Sequence, residues 1–277
     1  MTKYALLDYD GFICKAFYAA LSRAELDEAH NILHRLENAA IDKAIEFFGT
    51  EKVIVRKFVS GHTWKKDEYQ SYKENREKNS FLGMFRDEVL DDDKHIYKFK
   101  NLEADDCINI IQEYIGDGYT DEYVTFSDDK DLHNTATAYC KINLNEEIVT
   151  RPWDYTQLFC QMLAGDKEDD VEGIPKVGMK TALKLLGDSP SIKKVFEVYR
   201  DKGIPIEKCK KEVSLILPLS CYFNKNRLSA EYFASRLLID LPDTKRLFDW
   251  VVDDIIKGQK EYIDNIATII YGVNANE

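Results

Sequence analysis

Tyr4-Ala5-Leu6-Leu7-Asp8 is a short apolar run that ends on a carboxylate. Its length suits a buried β-strand, and Asp8 would then stand at the strand's carboxyl end. Runs of the same kind recur at Val53–Val59, Ile96–Phe99 and Tyr123–Phe126. Between the first two lies a long helical pattern, with Leu33, Leu36, Ala40, Ile41, Ala44, Ile45 and Phe48 at helical spacing and Gly49 as its C-cap. Between the last two, Cys107, Ile108, Ile111, Tyr114 and Ile115 share one helical face. Alternating strands and helices imply an α/β fold with a mostly parallel central sheet flanked by helices. In such sheets, sites gather beyond the carboxyl ends of the strands.

Outward from this frame, the segment at about 61–95 is polar and irregularly charged, and too long for a plain connection. After Trp153 the pattern becomes helical, with helices expected at 155–164, 179–187, 191–202 and 206–223 and two more near the end. A boundary near residue 150 divides an α/β domain, 1–150, from a helical region, 151–277. The 277 residues are 44% hydrophobic, ordinary for a globular protein, but the formal net charge is -12. Phosphate binding usually shows as a basic excess, so this charge argues against nucleic acid unless bound cations reverse the local sign. Cysteines at 14, 107, 140, 160, 209 and 221 form no Cys-x-x-Cys pair and read as reduced, small hydrophobes rather than a zinc site. No apolar stretch approaches the roughly 20 residues of a membrane span, and the amino terminus has no signal-peptide layout. The expectation is a soluble, cytoplasmic protein with no membrane partner.

The acidic residues are clustered. Asp8 follows the first strand. Glu103-Ala104-Asp105-Asp106 follows the third and opens a helix, and Ser127-Asp128-Asp129-Lys130-Asp131 follows the fourth. Gly165-Asp166-Lys167-Glu168-Asp169-Asp170 forms a further cluster, with Asp166 and Asp169 on one face if the segment is helical. Each has an ordinary reading as a cap, a first-turn acid or a solvated turn. Together, one convergent oxygen-rich site is the better account, and carboxylates suit magnesium or manganese, two ions or more. Two such ions can activate a water and stabilise the leaving oxygen of a phosphodiester.

Gly173-Ile174-Pro175-Lys176-Val177-Gly178-Met179-Lys180-Thr181 sets glycines on either side of a tight turn, before an amphipathic helix. Backbone N–H groups there can approach a phosphate, with Lys180 and Thr181 beside it. In Tyr72-Lys73-Glu74-Asn75-Arg76 a helix would put Lys73 and Arg76 on one face, next to a tyrosine able to stack on an unpaired base. A solvated charged helix is the competing reading.

In order along residues 4 to about 187, Glu103–Asp106, Ser127–Asp131, Gly165–Asp169 and Gly173–Ala182 resemble the motifs of the 5′-nuclease superfamily of flap endonucleases and 5′-3′ exonucleases. The resemblance implies a PIN-like, resolvase-like nuclease core with a helical arch, and a helix-three-turn-helix at about 160–187. It implies one metal cluster from Asp8, Glu103, Asp105 and Asp106, and a second from Asp129, Asp131, Asp166 and Asp169. Tyr72 to Arg76 looks like the arch motif, whose Lys73 and Arg76 act on the scissile phosphate. Lys15, Tyr72, Gly173, Ile174, Val177, Gly178, Lys180 and Thr181 are implied nucleic-acid contacts, with a potassium ion on main-chain carbonyls of the turn. The implied activity is cleavage of DNA with 5′ single-stranded or nicked ends, extending to RNA–DNA hybrids, by a monomer that leaves 5′-phosphates. Two departures stand out. Ser60 occupies the position where the family usually has an Asp, so that His62 or Asp67 is asked to help the first cluster, and Asp170 replaces a common Asn.

Two rivals remain open. Asp8-Tyr9-Asp10-Gly11 reads like the nucleophile loop of a haloacid-dehalogenase-type phosphatase, with Asp8 attacking phosphorus and Asp10 as acid/base. That reading leaves the later clusters and the glycine turn unexplained. The other rival is a structure-selective DNA-binding protein with a decayed site, for which Ser60 is the support.

Overall fold

The computed structural model describes residues 2–75, 79–93, 95–116, 121–143, 145–152, 154–219, 232–235 and 245–272. Two compact units emerge: 1–63, 77–153 and 232–245 form one, and 64–76, 154–231 and 246–277 form the other. The segment expected as one arch inside the first domain does not stay whole, because 64–76 packs with the helices of the second unit.

The first unit is built on a six-stranded sheet. Its strands are β1 (Lys3–Asp8), β2 (Val53–Val59), β3 (Ile96–Lys98), β4 (Glu122–Phe126), β5 (Ala138–Cys140) and β6 (Val149–Thr150). The order is β3-β2-β1-β4-β5-β6, with every pair parallel except β5 with β6. β5 and β6 are too short to register as apolar runs. The chain winds outward from β1 in one direction through β2 and β3, and in the other through β4 and β5. The switch point therefore lies between β1 and β4, where ligands of open α/β sheets bind.

Alternation along the strands gives the sheet two buried faces. Ala5, Leu7, Val59, Val124 and Phe126 join a core with α1 (Tyr9–Leu21), α2 (Ala29–Phe48) and α4 (Ser80–Asp92). On the other face, Gln112 of α5 (Ala104–Gly116) donates to Thr125 Oγ1 at 2.8 Å, and Thr125 is in register with Leu6. Gly49 ends α2 with φ +65°, the left-handed cap expected for it. The helix α1 starts directly at Tyr9, within the Asp8–Gly11 stretch that resembles a phosphatase nucleophile loop. Its buried residues Tyr9, Phe12, Ile13, Ala16, Phe17 and Ala20 have clean helical spacing. A short α6 (Lys130–Thr135) follows β4.

The second unit holds α3 (Trp64–Glu68), α7 (Thr156–Ala164), α8 (Met179–Leu186), α9 (Ile192–Asp201), α10 (Ile206–Ile216) and α11 (Lys245–Tyr271). Leu163, Ile174, Ala182, Phe196, Val213 and Ile263 share its core. α10 stops at Ile216, short of the expected 223, and Leu217 leaves the helix with extended backbone. Of the cysteines, Cys107, Cys140, Cys160 and Cys209 are buried and unpaired, as their scatter implied, and Cys221 lies outside the described residues.

Candidate metal and nucleic-acid site

Asp8 ends β1 at the switch point. Ser127, at the end of the neighbouring β4, donates its hydroxyl to Asp8 Oδ2 at 2.7 Å and accepts the Asp129 N–H at 2.9 Å. Ser127 is fully buried, so this relay ties the third acidic cluster to the first strand. Burial pushes the Asp8 carboxyl up to about 7, and the charges of Asp10 and Asp129 push the same way against the Ser127 hydrogen bond. A carboxylate held where it resists ionisation is one that a cation would stabilise.

Glu103, Asp105 and Asp106 offer ligand oxygens that all lie within 4.8 Å of one another. Glu103 and Asp106 are buried at 6% and 2% exposure. Asp106 Oδ2 accepts the Glu103 N–H at 3.2 Å, and Asp105 Oδ1 accepts the Asp106 N–H at 2.9 Å. These bonds fold the Asp105 and Asp106 carboxylates back onto the opening of α5, where the helix dipole favours them. The dipole and these hydrogen bonds help orient the cluster, and a cation is one group it could hold. This donor set is hard, all-oxygen and anionic, which fits magnesium or manganese.

Ser60 sits at the end of β2. Its hydroxyl accepts the Ala104 N–H at 3.1 Å and so caps α5 from another strand. Its backbone N–H donates to Asp10 Oδ2 at 2.6 Å, while Arg86 bridges Asp10 Oδ1 (2.7 Å) and the Ser60 carbonyl (2.5 Å). Asp10 is thus committed to Ser60 and an arginine, in a helix rather than a loop. That removes the arrangement a phosphatase acid/base would need. Sequence reading passed over Arg86, although a single arginine before Asp87 and Glu88 in an otherwise acidic stretch is a signal. Asp67, considered as help for Ser60, lies on α3 in the second unit.

The remaining predicted residues fall into place less uniformly. Asp129 is the N-cap of α6 and accepts the Asp131 N–H at 2.7 Å, so the ordinary cap reading holds for it alongside its link to Ser127. Lys15 pairs with Asp128 at 2.7 Å, close in sequence to Asp129.

In the second unit, Asp166 and Val171 close a tight loop through paired backbone hydrogen bonds of 2.8 Å, so the fourth cluster is a turn and not a helix. The Asp166 carboxylate accepts from Glu168 N–H (3.0 Å) and from the Gln161 side-chain amide (3.1 Å). Gly165 and Gly173 cross beneath this loop with φ +80° and +67°; a Cβ on Gly173 would lie 2.3 Å from Gly165 N. No side chain fits there. Ile174 and Val177, expected as nucleic-acid contacts, are core residues, so only their main chain is available to a ligand. Gly178 has open space around it, and Lys180 and Thr181 are exposed on the first turn of α8.

Tyr72 is 1% exposed and packs with Val171 and Leu215. It is therefore no stacking platform; Lys73 Nζ lies 4.8 Å from its ring centroid. Lys73 has φ +54°, a turn conformation costing on the order of 1 kcal/mol for a residue with a side chain. The expected helix through Lys73 is absent, and Lys73 Nζ approaches Asp169 Oδ1 at 3.7 Å. Arg76 lies outside the described residues.

No family model matches the chain. Its sequence is similar to curated 5′-3′ exonucleases, at 24% identity over 220 residues for that of Buchnera aphidicola subsp. Acyrthosiphon pisum (73% of this chain, 74% of the relative). The figure for the Mycoplasmopsis pulmonis enzyme is 27% over 226 residues (72% and 75%). A stretch of 116 residues is 32% identical to part of DNA polymerase I of Bacillus subtilis, spanning 13% of that protein. Among solved structures, T5 5′-exonuclease with bound divalent metal ions (zinc) superposes with TM-score 0.53 at 14% identity, covering 96% of this chain and 99% of that one. A T5 flap endonuclease pseudo-enzyme-product complex with DNA and metal ions gives TM-score 0.51 at 13% identity, with the same coverage. The fold expected from the motifs is the fold these 5′-nucleases have.

Proposed function

We propose that this chain is a divalent-metal-dependent, structure-specific 5′ nuclease, a 5′-3′ exonuclease and flap endonuclease acting on DNA. One observation carries the reading: the switch-point carboxylate Asp8, resistant to ionisation, shares the sheet unit with the tight Glu103–Asp105–Asp106 oxygen cluster. The similarity to curated 5′-3′ exonucleases along almost three quarters of their length supports it. A phosphatase would leave that cluster without a task.

Asp8, Glu103, Asp105 and Asp106 would hold magnesium or manganese, and Asp129, Asp131, Asp166 and Asp169 are further proposed ligands, each open to test by its own Asn variant. When bound, the metals lower the pKa of an attacking water and neutralise charge on the scissile phosphate. The chain's own groups keep the carboxylates in place. Ser127 holds Asp8 by its Oδ2, and Ser60 caps the helix that carries Glu103 to Asp106. Lys73 and Arg76 would stabilise negative charge on the phosphate. The Gly173–Thr181 turn would take the backbone of duplex DNA, with a potassium ion on its carbonyls. Substrates would be DNA with 5′ single-stranded or nicked ends and RNA–DNA hybrids, cut by a cytoplasmic monomer to give 5′-phosphate and 3′-hydroxyl ends. Among the described residues, no helix is long and apolar enough to cross a membrane.

The test is a panel of 5′-labelled flap, nicked, gapped and RNA–DNA hybrid substrates with magnesium or manganese, reading product length and end chemistry. Cleavage near the junction with 5′-phosphate products supports the reading. Binding without cleavage under either metal would favour the decayed, structure-selective alternative.

A further inference from the structure

Among the described residues of the helical unit, Lys73 at φ +54° and Asp170 at φ +58° hold, with Lys176 at φ +65°, the left-handed backbone that side chains disfavour; the first two matter here. Those two are joined through Asn75. Asp170 Oδ2 accepts the Asn75 backbone N–H at 3.3 Å, and Oδ1 accepts from the Asn75 side-chain amide. The turn between is closed by Tyr72 N–H to Tyr69 O (2.9 Å) and Glu74 N–H to Ser71 O (3.2 Å). Behind it, Tyr72 is buried against Val171, the residue after Asp170, and Lys211 reaches Ser71 Oγ at 3.3 Å.

Resting on the nuclease reading, we propose that Asp170 is a positioning residue for Lys73. Its carboxylate grips both donors of Asn75 and so fixes the left-handed turn that presents Lys73 beside the acidic loop. The acceptor count explains why an aspartate serves here. Asn75 offers two N–H donors on one side, and a carboxylate answers with two acceptor oxygens, whereas an amide has one. Lys73 Nζ also comes within 3.7 Å of Asp169 Oδ1, and fixing the disfavoured turn falls to the Asp170 grip on Asn75. Asp170 carries that task without touching substrate. An Asp tolerates the left-handed conformation better than most residues, so the grip is made from a position the residue accepts.

The experiment compares Asp170→Asn, Asp170→Ala, Asn75→Ala and Lys73→Ala, singly and with each of the first three combined with Lys73→Ala. It measures single-turnover cleavage of a 5′ flap, duplex affinity, the magnesium requirement, and amide hydrogen exchange at Asn75. Asn keeps the left-handed preference, so Asp170→Asn should fold and lose turnover partially. Asp170→Ala and Asn75→Ala should each lose about tenfold, the scale of one charge-assisted hydrogen bond. Exchange at Asn75 should quicken, duplex affinity and magnesium requirement should hold, and no further loss should appear in the Lys73→Ala background. A raised magnesium requirement would make Asp170 a metal ligand and overturn the proposal, as would unchanged turnover or a full additional loss in the Lys73→Ala background. If the wild-type protein cut no flap, the nuclease reading would fall, and unchanged exchange at Asn75 would then sink the grip separately.

Discussion

Asp8 sits in a conflict between solvation and charge. Burial and the neighbouring Asp10 and Asp129 hold its carboxyl near 7, far above the ordinary carboxylate range. The folded protein therefore keeps a proton there that the unfolded chain has already lost between about pH 4 and pH 7. Asp8 favours the folded state at low pH, and that contribution disappears as the pH rises through about 7. In chelator, the thermal midpoint should fall across this window, and Asp8→Asn should flatten the slope; parallel slopes in both proteins would refute the assignment. Metal must displace the same proton, so magnesium affinity should climb up to about pH 7 and then level off, as followed by calorimetric titration. Ser60 makes a second residue-scale case. Ser60→Ala should destabilise the protein by about 1 kcal/mol, the usual worth of a helix-capping oxygen. Ser60→Asp adds a carboxylate near Ala104 and should tighten the metal titration. An identical titration would remove Ser60 from the account of this site.

The Gly165–Gly173 crossing shows how far an element depends on one missing atom. Both glycines have positive φ, and a Cβ on Gly173 would collide with backbone rather than with a movable side chain. Gly173→Ala should therefore cost about 3 kcal/mol in chemical denaturation and weaken duplex binding with it. Gly178→Ala, with open space around it, should be far milder; equal losses would mean the crossing is not what matters. At this scale the sequence was readable where period and length were unambiguous. Val53–Val59, the Gly49 cap and the acidic helix opening at Ala104 stand as read. It was misleading where local chemistry imitates something else. Asp8-Tyr9-Asp10-Gly11 looks like a loop, yet Phe12, Ile13, Ala16 and Phe17 make it a buried helix. Tyr72 and Lys73 suggest a charged helix, but burial of the ring against Val171 and Leu215 outweighs helix propensity and draws the lysine into a turn. The partners of Asp10 and Asp170 lie 76 and 95 residues away in sequence, at Arg86 and Asn75, a separation that periodicity does not report.

Over the whole molecule the formal net charge is -12, and DNA is a polyanion. The acidic residues that carry the proposed chemistry are also those that repel the substrate, so affinity for DNA should depend on the metal and not only on salt. Binding of a duplex with a 5′ flap in calcium, a cation that occupies oxygen sites, should be markedly tighter than in chelator at equal ionic strength. Equal affinity in both would mean that lysines alone hold the DNA. The most direct measurement is the rate of 5′-flap cleavage as a function of magnesium for the wild type and for Asp106→Asn, whose carboxylate is buried in the first-turn cluster of α5. The account predicts metal-dependent cleavage, none in chelator, and a loss of about a hundredfold or more in the variant. Cleavage that persists in chelator, or an Asp106→Asn protein that cuts at the wild-type rate, would contradict it.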